Sequence, residues 1–150
     1  MKARLNYNEV SPKGLIAMMQ MEAFVRNSGL EASLLELVKI RASQINKCGY
    51  CIDMHTKDAR KAGETEQRLY GLIAWRETPF YTGRERAALA WTEALTRISE
   101  ADASDELYQE LGNHFSDEEK VSLTLAIITI NGWNRLAIGF RTVPGTYEPE

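Results

Sequence analysis

The sequence predicts an all-α protein, on three observations. Apolar residues recur at three- and four-residue spacing along nearly the whole chain. No alternating apolar–polar segment of four to eight residues is bounded by turn residues. No Asn-Gly or Asp-Gly pair separates strand-like runs, because Asn131-Gly132 falls inside a helix-like stretch. The expected architecture is a single domain, residues 1–150, of about seven helices.

A first helix is expected from about Pro12 to Asn27, with Ser11 as cap, Pro12 at the first helical position and Gly29 just past the end. Met18, Met19, Met21, Phe24 and Val25 give it a broad apolar face. A second runs from about Ala32 to Asn46, where Ser33 and Glu36 fit a capping box. Its stripe of Leu34, Leu37, Val38 and Ile45 carries one charge, Arg41. A third begins near Cys48 and ends at Gly63. A shorter one covers about Glu66 to Trp75, and Pro79 interrupts the next stretch. Thr82 and Glu85 form a second capping box that opens a helix through Ile98. Ser104 to Phe115 reads as a short polar helix. Ser116 and Glu119 open the last, whose nearly continuous apolar run, Val121 to Ile130, calls for burial on several sides. The tail from Val143 has two prolines and a glycine and is expected to be extended.

Apolar residues make up 44% of the 150-residue chain and charged residues 26%, values of a globular protein rather than a disordered one. A net charge of -3 argues against a nucleic-acid binder. The longest uncharged run, Val121 to Asn134, is too short and too rich in Ser, Thr and Asn for a membrane span. Residues Met1 to Asn8 show no signal-like apolar stretch, so the expected location is the cytoplasm. Two cysteines, three positions apart, cannot form a secreted disulfide scaffold. In a reducing compartment such a pair points to redox or metal chemistry.

On a helix Cys48 and Cys51 are i,i+3 neighbours and Cys51 and His55 are i,i+4 neighbours, so all three share one face. A free thiol, with a pKa of about 8.5, is mostly protonated at neutral pH. A nearby imidazole can take its proton, and a helix N-terminus favours the thiolate. A second thiol one turn away can convert a sulfenic acid to a disulfide and so keep the oxidation reversible. The pair could also be inert. A zinc site would need a fourth ligand from Glu36, Asp53, His114 or another carboxylate, and no metal is expected. Glu36 lies on the preceding helix, and spacing alone does not bring it to the cysteines.

The pattern Glu36-x11-Cys48-x2-Cys51-x3-His55 resembles the motif of the AhpD-like alkylhydroperoxidases in the carboxymuconolactone decarboxylase superfamily. So do the stretches 48–57, 63–69, 75–81 and 131–136, which carry the resemblance over about residues 5–142. The resemblance implies an all-α fold assembled as a homotrimer or homohexamer, and a thiol peroxidase that uses no flavin, haem or metal. It implies Cys51 as the peroxidatic thiol, Cys48 as the resolving thiol, and His55 with Glu36 as the proton relay. A hydroperoxide would be the substrate. An external dithiol, lipoylated or thioredoxin-like, would be the reductant. Tyr50 stands where peroxidase members of the family carry a histidine, and tyrosine is a poor base at neutral pH. A lyase acting on small carboxylic substrates and a non-enzymatic redox sensor are the alternatives; decarboxylases of the family generally lack the cysteine pair.

Ordinary packing roles are expected for Trp75, Trp91, Trp133, the Met18–Met19–Met21 cluster and Arg135. Lys57, Arg60, Lys61, Arg84 and Arg86 read as solvated helix faces.

Overall fold

The computed structural model describes residues 1–149. Among them are eight α-helices, one stretch of tighter 3-10 helix and no strand. The helices are α1 (Tyr7–Val10), α2 (Pro12–Arg26), α3 (Ala32–Asn46), α4 (Gly49–Lys61), α5 (Glu66–Gly71), α6 (Gly83–Thr96), α7 (Asp105–Gly112) and α8 (Asp117–Phe140). The all-α expectation holds, with more helices than the sequence suggests. Asn6 caps the additional α1 by accepting from the Asn8 amide. The expected helix from Glu66 to Trp75 divides: α5 tightens into the 3-10 segment Leu72–Glu77, where Ala74 leaves helical geometry.

Two capping boxes form as expected. Thr82 accepts from the Glu85 amide at 3.2 Å, and Glu85 accepts from the Thr82 amide at 2.8 Å. Ser116 and Glu119 repeat the arrangement at 3.2 and 2.8 Å. Two caps do not form. Ser11 makes no side-chain cap bond, because it also ends α1 and gives its amide to Tyr7. The Ser33–Glu36 box fails because α3 starts at Ala32, which places Ser33 inside the first turn. Glu31 is the capping residue instead: its carbonyl takes the first helical bond, and Arg84 holds its carboxylate at 3.0 and 3.1 Å. Glu36 is thereby left to reach outside its own helix.

α3 is the organising element and packs against α4, α6 and α8. One side joins α2, α6, α7 and α8 through Val25, Leu34, Val38, Trp91, Leu123 and Ile127. Another meets α4, α5, the 3-10 segment and α6 through Leu37, Ile40, Ala59, Leu69, Leu72, Trp75 and Leu89. A third, smaller cluster of Ala42, Cys48, Cys51, Ile130 and Ala137 lies where α3, α4 and α8 meet. Arg41, the charge on the α3 stripe, is buried and paired with Glu93 of α6 at 2.7 Å. Glu93 also accepts from Trp75 Nε1 at 2.9 Å and from Arg76. Arg84 and Arg86 correct the expectation of a solvated face. Arg84 bridges Glu31, Glu119 and the His114 carbonyl, and Arg86 donates to the carbonyls of Trp75, Arg76 and Thr78.

α8 has the length and apolar composition of a membrane-crossing helix, but half of its apolar window is buried inside the protein. Its acidic, doubly capped N-terminus and its buried Ser122, Thr129, Asn131 and Asn134 belong to a core helix. The tail has no regular secondary structure over residues 143–149, bends at Pro144–Gly145 instead of running extended throughout, and is bonded to α4. The Gly145 amide donates to Asp53 at 2.9 Å, Lys57 donates to the Tyr147 carbonyl at 2.8 Å, and the Tyr147 hydroxyl donates to Asp58 at 2.7 Å.

Candidate active site

The site begins at the turn between α3 and α4. Lys47 ends α3 in the left-handed conformation, φ 59°, with no glycine to mark it. The chain then reverses into Cys48, whose amide donates to the Ser43 carbonyl at 2.9 Å. An amide network pins this reversal to α8. Asn46 donates to Asn131 and Asn134 at 2.9 and 2.8 Å, and Asn134 donates back to Ser43 at 3.0 Å.

Cys48 is the N-cap of α4, and its Sγ accepts from the Cys51 amide at 3.4 Å. Cys48 and Cys51 are joined by a disulfide across a Cα separation of 5.4 Å. Both are buried, against Ala42, Ile130 and Ala137, with Tyr50 and Trp133 packed alongside. One turn further along α4, His55 is 5% exposed. Its Nδ1 lies 2.9 Å from Glu36 Oε2, a contact between α4 and α3. The structure thus brings together His55 and Glu36, which spacing alone could not connect.

Burial opposes ionisation of Glu36. The hydrogen bond and charge of His55, and the charge of Lys39, outweigh it and hold the carboxyl below its ordinary range. Lys39 Nζ lies 3.6 Å from Glu36 Oε1 and 2.6 Å from Glu22 Oε1 of α2. Tyr50 is pushed up, first by burial and then by the charges of Tyr7, Asp53 and Asp58, so its phenol stays a neutral donor.

Among the described residues, the group able to offer a metal ion three ligands is Glu36, His55 and Asp58, with ligating atoms within 4.8 Å of one another. Lys39 sits against Glu36 and opposes a cation there. Of the other ligands that the sequence offers, Asp53 is engaged by Lys57 and the Gly145 amide, and His114 lies beside Glu110. Neither belongs to this group. The sequence alone does not mark Lys39, Glu22, Asp58 or Tyr147 as site residues. Lys39 carries a signal, its i,i+3 spacing from Glu36; Glu22 and Tyr147 are too distant in sequence to have one.

Two surface cavities lie elsewhere. The larger, about 460 Å³, is apolar and runs between α1, α2 and the end of α8, past Tyr7, Met18, Leu136 and Phe140. The smaller, about 310 Å³, lies between Phe24 and Leu125.

Comparison with known proteins gives one consistent result. The profile of the carboxymuconolactone decarboxylase family matches residues 12–94, which include all four residues of the motif. The chain is 48% identical to YdfG, an uncharacterised protein of Bacillus subtilis, over 92% of this chain and 94% of that one. The crystal structure of ATU0492 from Agrobacterium tumefaciens, a protein of unknown function placed with the antioxidant defence protein AhpD, is 46% identical. It superposes with a TM-score of 0.94 over 97% of this chain and all of that one. An uncharacterised peroxidase-related protein from Silicibacter sp. TM1040 is 25% identical, with a TM-score of 0.80 over 89% of this chain and 71% of that one.

Proposed function

The chain belongs to the carboxymuconolactone decarboxylase family, and from that premise we propose that it is a thiol-dependent hydroperoxidase of the AhpD-like kind. One observation carries the reading: a disulfide-forming cysteine pair opens the helix whose next turn presents His55, bonded to Glu36. Decarboxylases of the family generally lack the pair, and its presence argues against the lyase reading.

In the reduced protein, Glu36 orients the imidazole and stabilises its positive form, and His55 removes the proton from the Cys51 thiol. The helix N-terminus favours the resulting thiolate. The thiolate attacks the peroxide O–O bond. An S–O bond forms, the O–O bond breaks, and the departing alkoxide or hydroxide takes the proton from His55 to leave as alcohol or water. Cys51 is now a sulfenic acid. The Cys48 thiol attacks it, an S–S bond forms, the S–O bond breaks and water leaves. An external dithiol reduces the disulfide by exchange and is itself oxidised. A lipoylated or thioredoxin-like protein has the required chemistry.

The subunit is a single domain that assembles as a homotrimer or homohexamer in the cytoplasm. Ile16, Met19 and Phe24 of α2, with Val121 and Ile128 of α8, are exposed apolar side chains that such an assembly would cover. A redox sensor without turnover is the second reading, favoured by the burial of both cysteines, which shields the pair from a bulky substrate.

The test starts from the reduced protein. Adding cumene hydroperoxide should form the Cys48–Cys51 disulfide with one equivalent of alcohol, and a dithiol should sustain turnover. Cys51→Ser should abolish both. Cys48→Ser should leave a sulfenic acid on Cys51 that dimedone traps and mass spectrometry locates. Undiminished turnover by Cys51→Ser would refute the assignment; disulfide formation without turnover would leave the sensor.

A further inference from the structure

The peroxidase cycle makes no use of the buried cation beside the relay. We propose that Lys39 is a positioning residue that holds the Glu36 carboxylate toward His55, and that Glu22 sets how much of its charge Glu36 receives. The proposal rests on reading Glu36 and His55 as the proton relay.

The Lys39 side chain is 7% exposed. A buried ammonium is costly unless paired, so its partners are structural requirements as well as neighbours. It has two. Glu22 Oε1 on α2 is at hydrogen-bond distance, 2.6 Å. Glu36 Oε1, one turn back on α3, is at 3.6 Å, an ion-pair contact without a hydrogen bond. Each carboxylate divides its oxygens. Glu36 gives Oε2 to His55 and turns Oε1 to Lys39. Glu22 gives Oε1 to Lys39 and accepts from Trp133 Nε1 of α8 with Oε2, at 3.3 Å. The chain Trp133–Glu22–Lys39–Glu36–His55 therefore crosses α8, α2, α3 and α4.

The charged groups around Glu36 come from three helices. Lys39 lies on its own helix and Glu22 on α2. His55 and Asp58 lie on α4, and Asp58 is held in turn by Tyr147 of the tail. Two carboxylates, Glu22 and Glu36, thus share one lysine, and Asp58 lies within 4.8 Å of the Glu36–His55 pair. Removing Lys39 leaves the carboxylates to repel one another, so Glu36 holds its proton more tightly and its carboxylate is no longer held toward His55 by a contact at its second oxygen. Removing the Glu22 charge does the opposite, because Lys39 is then Glu36's alone. If Lys39 only filled space, neither change would matter to Glu36.

The experiment titrates the Glu36 carboxyl by carbon-13 NMR in protein with labelled glutamate, oxidised and folded, so it needs no peroxide activity. Lys39→Met should raise the Glu36 midpoint by about one pH unit. Lys39→Arg should restore it in large part, and Glu22→Gln should lower it. In parallel, peroxide-driven disulfide formation by the reduced protein should slow roughly tenfold in Lys39→Met and recover in Lys39→Arg. An unmoved Glu36 midpoint in a folded Lys39→Met protein would overturn the proposal. If that variant does not fold, Glu22→Gln decides, and an unmoved or raised midpoint overturns it. If the wild-type protein consumes no peroxide, the hydroperoxidase reading falls while the titrations still judge Lys39.

Discussion

His55 on α4 and Glu36 on α3 meet through a contact of 2.9 Å between Nδ1 and Oε2, so each helix presents one half of the pair proposed as the proton relay. Neither half has the same chemistry alone. Glu36→Gln keeps the shape but loses the charge, and His55→Asn loses the exchangeable base. Either should slow peroxide-driven disulfide formation about a hundredfold, within the range of general acid–base catalysis. Stopped-flow tryptophan fluorescence of the reduced protein would measure it, and a loss smaller than threefold in both (roughly, against that range) would remove the relay from the mechanism.

The same contact makes stability depend on pH. The folded-state carboxyl of Glu36 is held below its ordinary value of 4.5. A group lowered in this way contributes stability that is present above the ordinary value and lost as pH falls through the folded one. The contribution of Glu36 to the urea midpoint should therefore be full above this range and decline on acidification below 4.5. Glu36→Gln should be less stable at neutral pH and show a shallower acid slope. Parallel curves for the two proteins would contradict this.

The pair of Arg41 and Glu93 ties α3 to α6 in the core, and Glu93 also holds Trp75 and Arg76. Glu93→Leu leaves the Arg41 guanidinium buried without its carboxylate, a loss of about 3–5 kcal/mol. Urea denaturation should show a drop of that size, in contrast to the small effect of cutting an exposed pair such as Arg60 with Glu66.

Two helix starts test the capping boxes. Thr82→Ala and Ser116→Ala each remove a side-chain acceptor for an amide three residues on. Each should cost about 1 kcal/mol. Ser33→Ala, at the box that does not form, should cost only about the few tenths expected of a substitution away from such features. Thermal melts of the three variants would rank them.

That ranking also shows how far local sequence signals reach. The spacing of Cys48, Cys51 and His55 needs only helical periodicity, because all three lie within two turns of one helix. Glu36 can be assigned a role only through family resemblance, since its approach to His55 depends on how α3 packs against α4. Ser33 misleads because α3 begins one residue before it, at Ala32, with Glu31 as the capping residue and Arg84, far along the chain on α6, paired with the Glu31 carboxylate. Lys39, Glu22 and Tyr147 become site residues through contacts that no local pattern encodes. The reversal at Lys47 carries neither glycine nor asparagine, the usual marks of a left-handed residue.

Cys48 has a second duty whose consequence is thermodynamic. Its sulfur is the acceptor that starts α4, so the order of the first helical turn and the oxidation state of the pair are two descriptions of the same atoms. Reciprocity then applies. Oxidation tethers the turn against fraying, and whatever frays the turn must make the couple easier to reduce by the same factor. The Cys51 amide, whose acceptor is that sulfur, becomes a clock: its exchange with solvent deuterium should run faster after reduction, reporting the redox poise of the protein from its backbone alone.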